Sequence, residues 1–247
     1  MTPSIGMIYR PSWRTSFDGL ALDLYNACSH NCSYCYVKWD RQEKLPVYRP
    51  DLIDRQLREM AIAPDAPQRV HFCHFCDPYG VSDSSLTRKT METFKRYWNP
   101  WSILSKGGTK AIRDFDLYFN GCRFGQSLTC DNDVDSTTWE PGAALPADRI
   151  DALKQAHERG IETWVCLEPV IKPEQTLHLI ELTHGFVDFY WVGKLNHYPE
   201  QEASIDWAKF LADAEDLLRS LDMKYGIKYQ LKKAAIERRS HYQGRSK

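Results

Sequence analysis

The chain has 247 residues, 43% of them hydrophobic and 13% aromatic, which suffices for one sizeable core or two small ones. A formal net charge of −1 gives no global attraction to nucleic acid, and no apolar run is long enough to span a bilayer. The opening MTPSIGMIYRPSWR lacks the apolar block and small-residue cleavage site of a secretory signal, so a cytoplasmic location is expected.

In chain order the predicted elements alternate. Ala21–Tyr25 reads as a short strand running straight into a cysteine-rich loop, Pro50–Ala61 as a helix and Arg69–Cys73 as a strand. Leu86–Tyr97 has helical spacing with Ser84 or Ser85 available as N-cap, followed by a strand at Trp101–Ser105 and a helix at Thr109–Phe119. Gly125–Thr129 fits a strand, and Ala147–Arg159 a helix closed by Gly160. Glu162–Leu167 is a strand, Glu174–His184 a helix, Phe189–Leu195 a strand and Ile205–Leu221 a long amphipathic helix. Six strands alternating with helices, several of them short and apolar enough to be buried on both faces, imply an α/β fold with a parallel sheet and right-handed crossovers. Eight strand–helix units are not present, so an open, partial (β/α)6 TIM-type barrel is expected rather than a closed one. The expected organisation is an N-terminal extension at 1–17, the partial barrel at 18–200, and a C-terminal helix and basic tail at 201–247.

Chemistry-bearing residues gather where the strands end. They include the cysteine loop after the first strand, Cys76–Tyr79 after the second and Ser105–Lys106 after the third. Ser127–Asp131, Glu168 and Lys194–His197 follow at the fourth, fifth and sixth. Of 8 cysteines, three fall within the segment Cys28-Ser-His-Asn-Cys32-Ser-Tyr-Cys35. In a chain this long, without an export signal, they read as metal ligands rather than disulfide partners. Structural zinc sites have four ligands in paired knuckles, whereas this loop offers three at unequal spacing, with His30 the one further donor inside it. Three thiolates on a four-iron cubane leave one iron open to an outside ligand.

The C-x3-C-x2-C spacing, with an aromatic residue before the last cysteine, resembles the signature of the radical S-adenosylmethionine (SAM) superfamily. The segments DPYG at Asp77–Gly80, ILSKG at Ile103–Gly107, GQSLTCDN, and WEPGAALPADRIDALKQAHERGIETWVCLEPVIKP resemble its spore photoproduct lyase-like branch, in the same order. The likeness spans about residues 18–197 and stops near Tyr198. It implies a [4Fe–4S] cluster on Cys28, Cys32 and Cys35, placed in the loop after the first barrel strand. It also implies SAM as cofactor, with Tyr34 by the adenine, Lys106 reaching the SAM carboxylate, and Ser127 in contact with SAM. The implied chemistry is reductive cleavage of SAM to a 5′-deoxyadenosyl radical that takes a hydrogen atom from substrate, in an enzyme of lyase or isomerase type. An electron donor such as flavodoxin or ferredoxin is then a partner.

Other residues stay open. Cys73 and Cys76 flank the place where photoproduct lyases hold a hydrogen-donating cysteine. They can donate hydrogen atoms, form a second metal or redox site, or simply pack. Glu168 and Glu140 can orient substrate or a SAM hydroxyl, or serve turns; Asp77 and His197 stand similarly. From Met223 onward, Lys224, Lys228, Lys232, Lys233, Arg238, Arg239, Arg245 and Lys247 face one acid, Glu237, giving either a solvated tail or a phosphate-binding arm, with Tyr225, Tyr229 and Tyr242 available for stacking. The expected substrate is a thymine-derived base in DNA; the alternatives are a small molecule, nucleoside or amino acid, or a non-catalytic metal-binding module.

Overall fold

Short β-branched and aromatic runs between polar loops form eight strands in one sheet. These are β1 (Ile8–Tyr9), β2 (Leu20–Leu22), β3 (Val70–Phe72), β4 (Trp101–Ser105), β5 (Arg123–Ser127), β6 (Glu162–Val170), β7 (Phe189–Lys194) and β8 (Lys224–Ile227). The computed structural model describes residues 7–11, 19–37, 48–63 and 67–243. The strands are hydrogen-bonded in sequence order; β1 runs antiparallel to β2 and every later pair is parallel. β1 and β8 are therefore the two edges, and the α/β sheet is open, a partial barrel.

The helices are α1 (Pro50–Ala61), α2 (Ser85–Arg96), α3 (Asp133–Trp139), α4 (Pro146–Glu158), α5 (Pro173–Thr183), α6 (Pro199–Ser204), α7 (Trp207–Ser220) and α8 (Tyr229–Gln243). Strand alternation separates two environments. On the helix-facing side Phe72 packs edge-to-face on Phe94 of α2, ring centroids 4.8 Å apart, and stacks on Trp101. On the inner side His71 meets the Ser102 hydroxyl at 2.9 Å and the edge of Trp164. No helix among the described residues is long and apolar enough to cross a membrane.

The open partial barrel is as expected, its six expected strands being β2 to β7; the sheet adds β1 and β8 from the segments on either side. Two residues are too few to show a period, and Lys224 and Lys228 around Tyr225–Ile227 make β8 read as part of a charged tail. The helix expected at Thr109–Phe119 is a 3-10 helix at Gly108–Leu117. Its start is held by Asp148, which accepts from both the amide and the hydroxyl of Thr109. The helix expected from Ile205 starts at Trp207, because Asp206 caps it by accepting from the Ala208 and Lys209 amides. Arg245 and Lys247 lie outside the described residues, as do the side chains of Arg238, Arg239 and Tyr242.

Candidate active site

A cavity of about 1010 Å³ opens at the C-terminal ends of the parallel strands. It is lined by the loop that follows β2, including Cys28, Cys32, Tyr34 and Cys35, and by Cys73, Cys76 and Asp77 after β3. Lys106, Ser127, Glu168, Lys194, His197 and Lys228 complete it from the later strands. Parallel strands deliver all these loops to one edge, which is why residues 200 positions apart in sequence share one wall.

The cysteine loop is clamped from two sides. From the DPYG segment, the Gly80 carbonyl accepts from the Ser29 amide at 2.6 Å and from the Ser29 hydroxyl at 2.8 Å. From the segment after α3, the Gly142 amide donates to the His30 carbonyl at 2.9 Å and the Ser33 amide donates to the Trp139 carbonyl at 2.9 Å. Both contacts require glycine: a Cβ on Gly142 would stand 2.1 Å from the Ser29 carbonyl oxygen, and one on Gly80 2.9 Å from the Cys28 sulfur.

His30 does not join the cysteines as a further ligand. Its Nε2 lies 2.9 Å from the Asp77 carboxylate and its Nδ1 3.1 Å from the Gly142 carbonyl, so the ring ties the two clamping segments together. Asp77 is the centre of that tie, accepting also from the Tyr79 amide at 2.8 Å, the Ser105 hydroxyl at 2.7 Å and the Lys106 amide at 2.7 Å. Burial alone would raise its pKa, but the His30 charge and these donors outweigh it and bring the carboxyl down to about 2 from 3.8. A depressed carboxyl stabilises the fold above its unfolded pKa, and that contribution is lost as pH falls from 3.8 through about 2. Its size is on the order of 2 kcal/mol. Thermal melting followed from pH 5 to pH 2 should therefore fall less steeply in Asp77→Asn than in the unmodified chain.

The thiols are free in all three positions. Burial, then the neighbouring Asp77, pushes Cys28 up to about 12, and burial likewise raises Cys32. Among the described residues no three His, Cys, Asp or Glu side chains close on a single ion position. The thiols instead sit along the cavity wall, an arrangement suited to a cluster in which each thiolate takes a different iron.

Lys106 reaches the cavity over the Tyr34 ring, its Nζ 5.5 Å from the ring centroid. Burial disfavours its charge, but the neighbouring Cys32 and Glu140, the latter 4.0 Å away, raise its pKa. Tyr34 is fixed by its hydroxyl, which donates to Glu140 and lies 3.2 Å from the Thr129 hydroxyl. Glu140, 1% exposed, does not line the cavity. Its other oxygen accepts from Arg149 at 2.5 Å, and Arg149 also donates to the Ala144 carbonyl at 2.7 Å and the Ser127 carbonyl at 2.9 Å. Glu140 therefore orients Tyr34 and Lys106 and is not itself open to a ligand.

Cys73 and Cys76 both line the cavity and are free. Cys76 lies 3.6 Å from Asp23, a carboxylate that also accepts from the Tyr9 hydroxyl at 2.5 Å and the Phe75 amide at 2.7 Å. Burial pushes the Cys73 thiol well above its ordinary pKa. Glu168 is engaged by Lys228, a contact the sequence did not reveal because Lys228 reads as one charge in a basic run. His197, in the left-handed region at φ 67°, and Lys194, paired with Glu202, border the same space.

No protein-family model matches the chain. An uncharacterized protein of Methanocaldococcus jannaschii is 26% identical over 204 residues, 73% of this chain and 74% of that protein. Among solved structures, SuiB of Streptococcus suis bound to S-adenosylmethionine superposes with a TM-score of 0.66 at 14% identity, covering 88% of this chain. The chain spans about half, 49%, of SuiB. A variant of spore photoproduct lyase carrying the dinucleoside spore photoproduct gives a TM-score of 0.67 at 14% identity, covering 85% of this chain and 76% of the lyase.

Proposed function

We propose that this chain, which has the partial-barrel fold of the radical SAM superfamily, is a radical SAM enzyme acting on a thymine-derived base in DNA. The observation that carries the reading is the pinned cysteine loop: three free thiols on the wall of a cavity into which Lys106 also points. Cys28, Cys32 and Cys35 hold the [4Fe–4S] cluster in this reading. When bound, cluster and SAM together would supply reductive cleavage chemistry, in which one electron from an external reductant leaves methionine and a 5′-deoxyadenosyl radical able to remove a hydrogen atom from a substrate. The residues of this chain do the rest. Lys106 offers its ammonium to the SAM carboxylate, a strong charge-assisted partner in a partly dry site. Tyr34, immobilised through Glu140 and Thr129, presents a fixed ring face for the adenine. Ser127 offers its hydroxyl from the end of β5. Cys73 and Cys76 stand ready as hydrogen-atom donors, and the hydrogen bonds with Gly80, Gly142 and Trp139 hold the cysteine loop in place.

Support for DNA comes from the flank of the cavity. α8 begins beside it with exposed Tyr229 and Gln230, and continues with exposed Lys232 and Lys233. These groups suit a base and its phosphates. The solved lyase holds a dinucleoside lesion, which supports the same substrate class.

The test is anaerobic reconstitution with iron and sulfide, followed by SAM and a one-electron reductant, with 5′-deoxyadenosine as readout. A labelled duplex titrated at rising salt reads the substrate, each phosphate contact contributing about −0.9 to the slope of log K against log salt. Deoxyadenosine formation together with salt-sensitive duplex binding is expected. A colourless protein that keeps stoichiometric zinc would defeat the radical reading. No duplex affinity even at low salt would defeat the DNA substrate and favour a small molecule.

A further inference from the structure

Three lysines line the cavity, and their partners differ in one respect. Lys106 is held by Glu140 and Lys194 by Glu202, carboxylates outside the lining. Among the described residues, Lys228 alone of the three is paired with a carboxylate, Glu168, that itself faces the cavity. The pair is assembled from distant parts of the sheet. Glu168 stands near the C-terminal end of β6, and Lys228 directly follows β8, where its amide donates to the Val192 carbonyl at 2.9 Å. Between them β7 carries Gly193, and a Cβ there would lie 2.4 Å from the Glu168 Oε1 and 2.9 Å from its Cγ. The backbone has thus been cleared of a side chain where Glu168 crosses the strand.

The pair is only part-buried, with 25% of the Glu168 and 19% of the Lys228 side chain exposed. It therefore retains acceptor capacity on the carboxylate and donor capacity on the ammonium. Burial lowers the pKa of nearby His74, an effect that Asp23 opposes and the charge on Lys228 reinforces. The wall thus offers one acceptor and one donor, side by side. A ligand that bridges them needs a donor adjacent to an acceptor, without a charge of its own that would compete with the existing pair. An imide edge, N–H flanked by carbonyl oxygens, has that pattern. The N–H donates to the carboxylate and a carbonyl accepts from the ammonium. Hydrogen bonds to charged groups are the strong ones.

We propose that Glu168 and Lys228 form the base-reading element of the site and recognise the imide edge of a thymine-type base. The assignment rests on the functional reading above and gives that site its specificity residues. It also gives Glu168 to the substrate, one of the roles that the sequence left open beside a SAM hydroxyl and a turn.

The probe is the dinucleotide thymidylyl-thymidine, compared with the same dinucleotide methylated at N3 of both bases, which removes the imide donor and keeps the carbonyls. Binding is measured by calorimetry to the reconstituted protein with SAM present. The unmodified probe should bind the unchanged chain about tenfold or more tightly than the methylated one, as expected for loss of a hydrogen bond to a charged group. In Glu168→Gln that preference should shrink below about threefold, and Lys228→Met should weaken both probes; circular dichroism checks that each variant folds. Equal binding of the two probes by the unchanged chain would overturn the imide assignment while leaving the DNA reading in place. So would a Glu168→Gln variant that loses SAM affinity but keeps full preference for the unmethylated probe. Failure of the unmodified probe to bind would overturn both the assignment and the thymine substrate, and deoxyadenosine formation would then show whether the radical chemistry survives.

Discussion

Cys32→Ala should reduce bound iron to background after reconstitution and abolish 5′-deoxyadenosine formation, while the protein stays folded. The chemical half of the expectation is ligand count: a cluster held by three thiolates that loses one keeps two, with no spare donor in the loop, because His30 is committed to Asp77 and Gly142. The structural half is that the loop does not depend on the Cys32 sulfur for its shape. Ser29, His30 and Ser33 fix it through Gly80, Gly142 and Trp139. Cys122→Ala is the control, since Cys122 is equally buried but does not line the cavity. It should retain iron and activity. Iron and sulfide per chain, the visible absorption band and product chromatography are the readouts. Retention of full iron content by Cys32→Ala would remove Cys32 from the ligand set.

How much of this was legible beforehand follows from range in sequence. The cysteine loop declares itself because all its donors fall within eight residues. The strands from β2 to β7 declare themselves because most carry apolar residues in a short run between polar loops. What the sequence hides are meetings between distant positions. Glu140 in an EPG turn gives no sign that it will be buried against Arg149, nine positions on, with the Tyr34 hydroxyl on its other oxygen. Asp77 and Lys106 are visible as chemistry-bearing residues, but nothing local says that the Asp77 carboxylate accepts from the Lys106 amide. Lys228 is the clearest case. A count of charges places it in a basic tail, whereas pairing of β8 with β7 carries it to the cavity, where it meets Glu168. Charge patterning reports composition along the chain, and only the sheet register turns a tail residue into a site residue.

The second large effect is expected at that buried acid. Glu140→Ala should destabilise the chain by about 3–5 kcal/mol, the usual cost of removing one member of a buried ion pair. That corresponds to a drop in Tm on the order of 10 °C for a domain of this size. Glu140 and Arg149 are each 1% exposed, so without the carboxylate the guanidinium is left in a dry pocket beside Lys106, a second cation. Arg149 keeps only neutral acceptors, the carbonyls of Ala144 and Ser127 and the Ser136 hydroxyl. The Tyr34 hydroxyl loses its carboxylate and keeps only Thr129. The double variant Glu140→Gln with Arg149→Met should recover much of the loss, because two neutral groups of similar volume leave no uncompensated charge. It should not recover SAM affinity to the same degree, since Lys106 would still lack the negative charge that raises its pKa and Tyr34 its carboxylate anchor. Chemical denaturation measures the first effect and SAM titration of the reconstituted protein the second. A single variant costing less than about 1 kcal/mol would show that water already reaches the pair and that Glu140 is not the buried anchor of Tyr34.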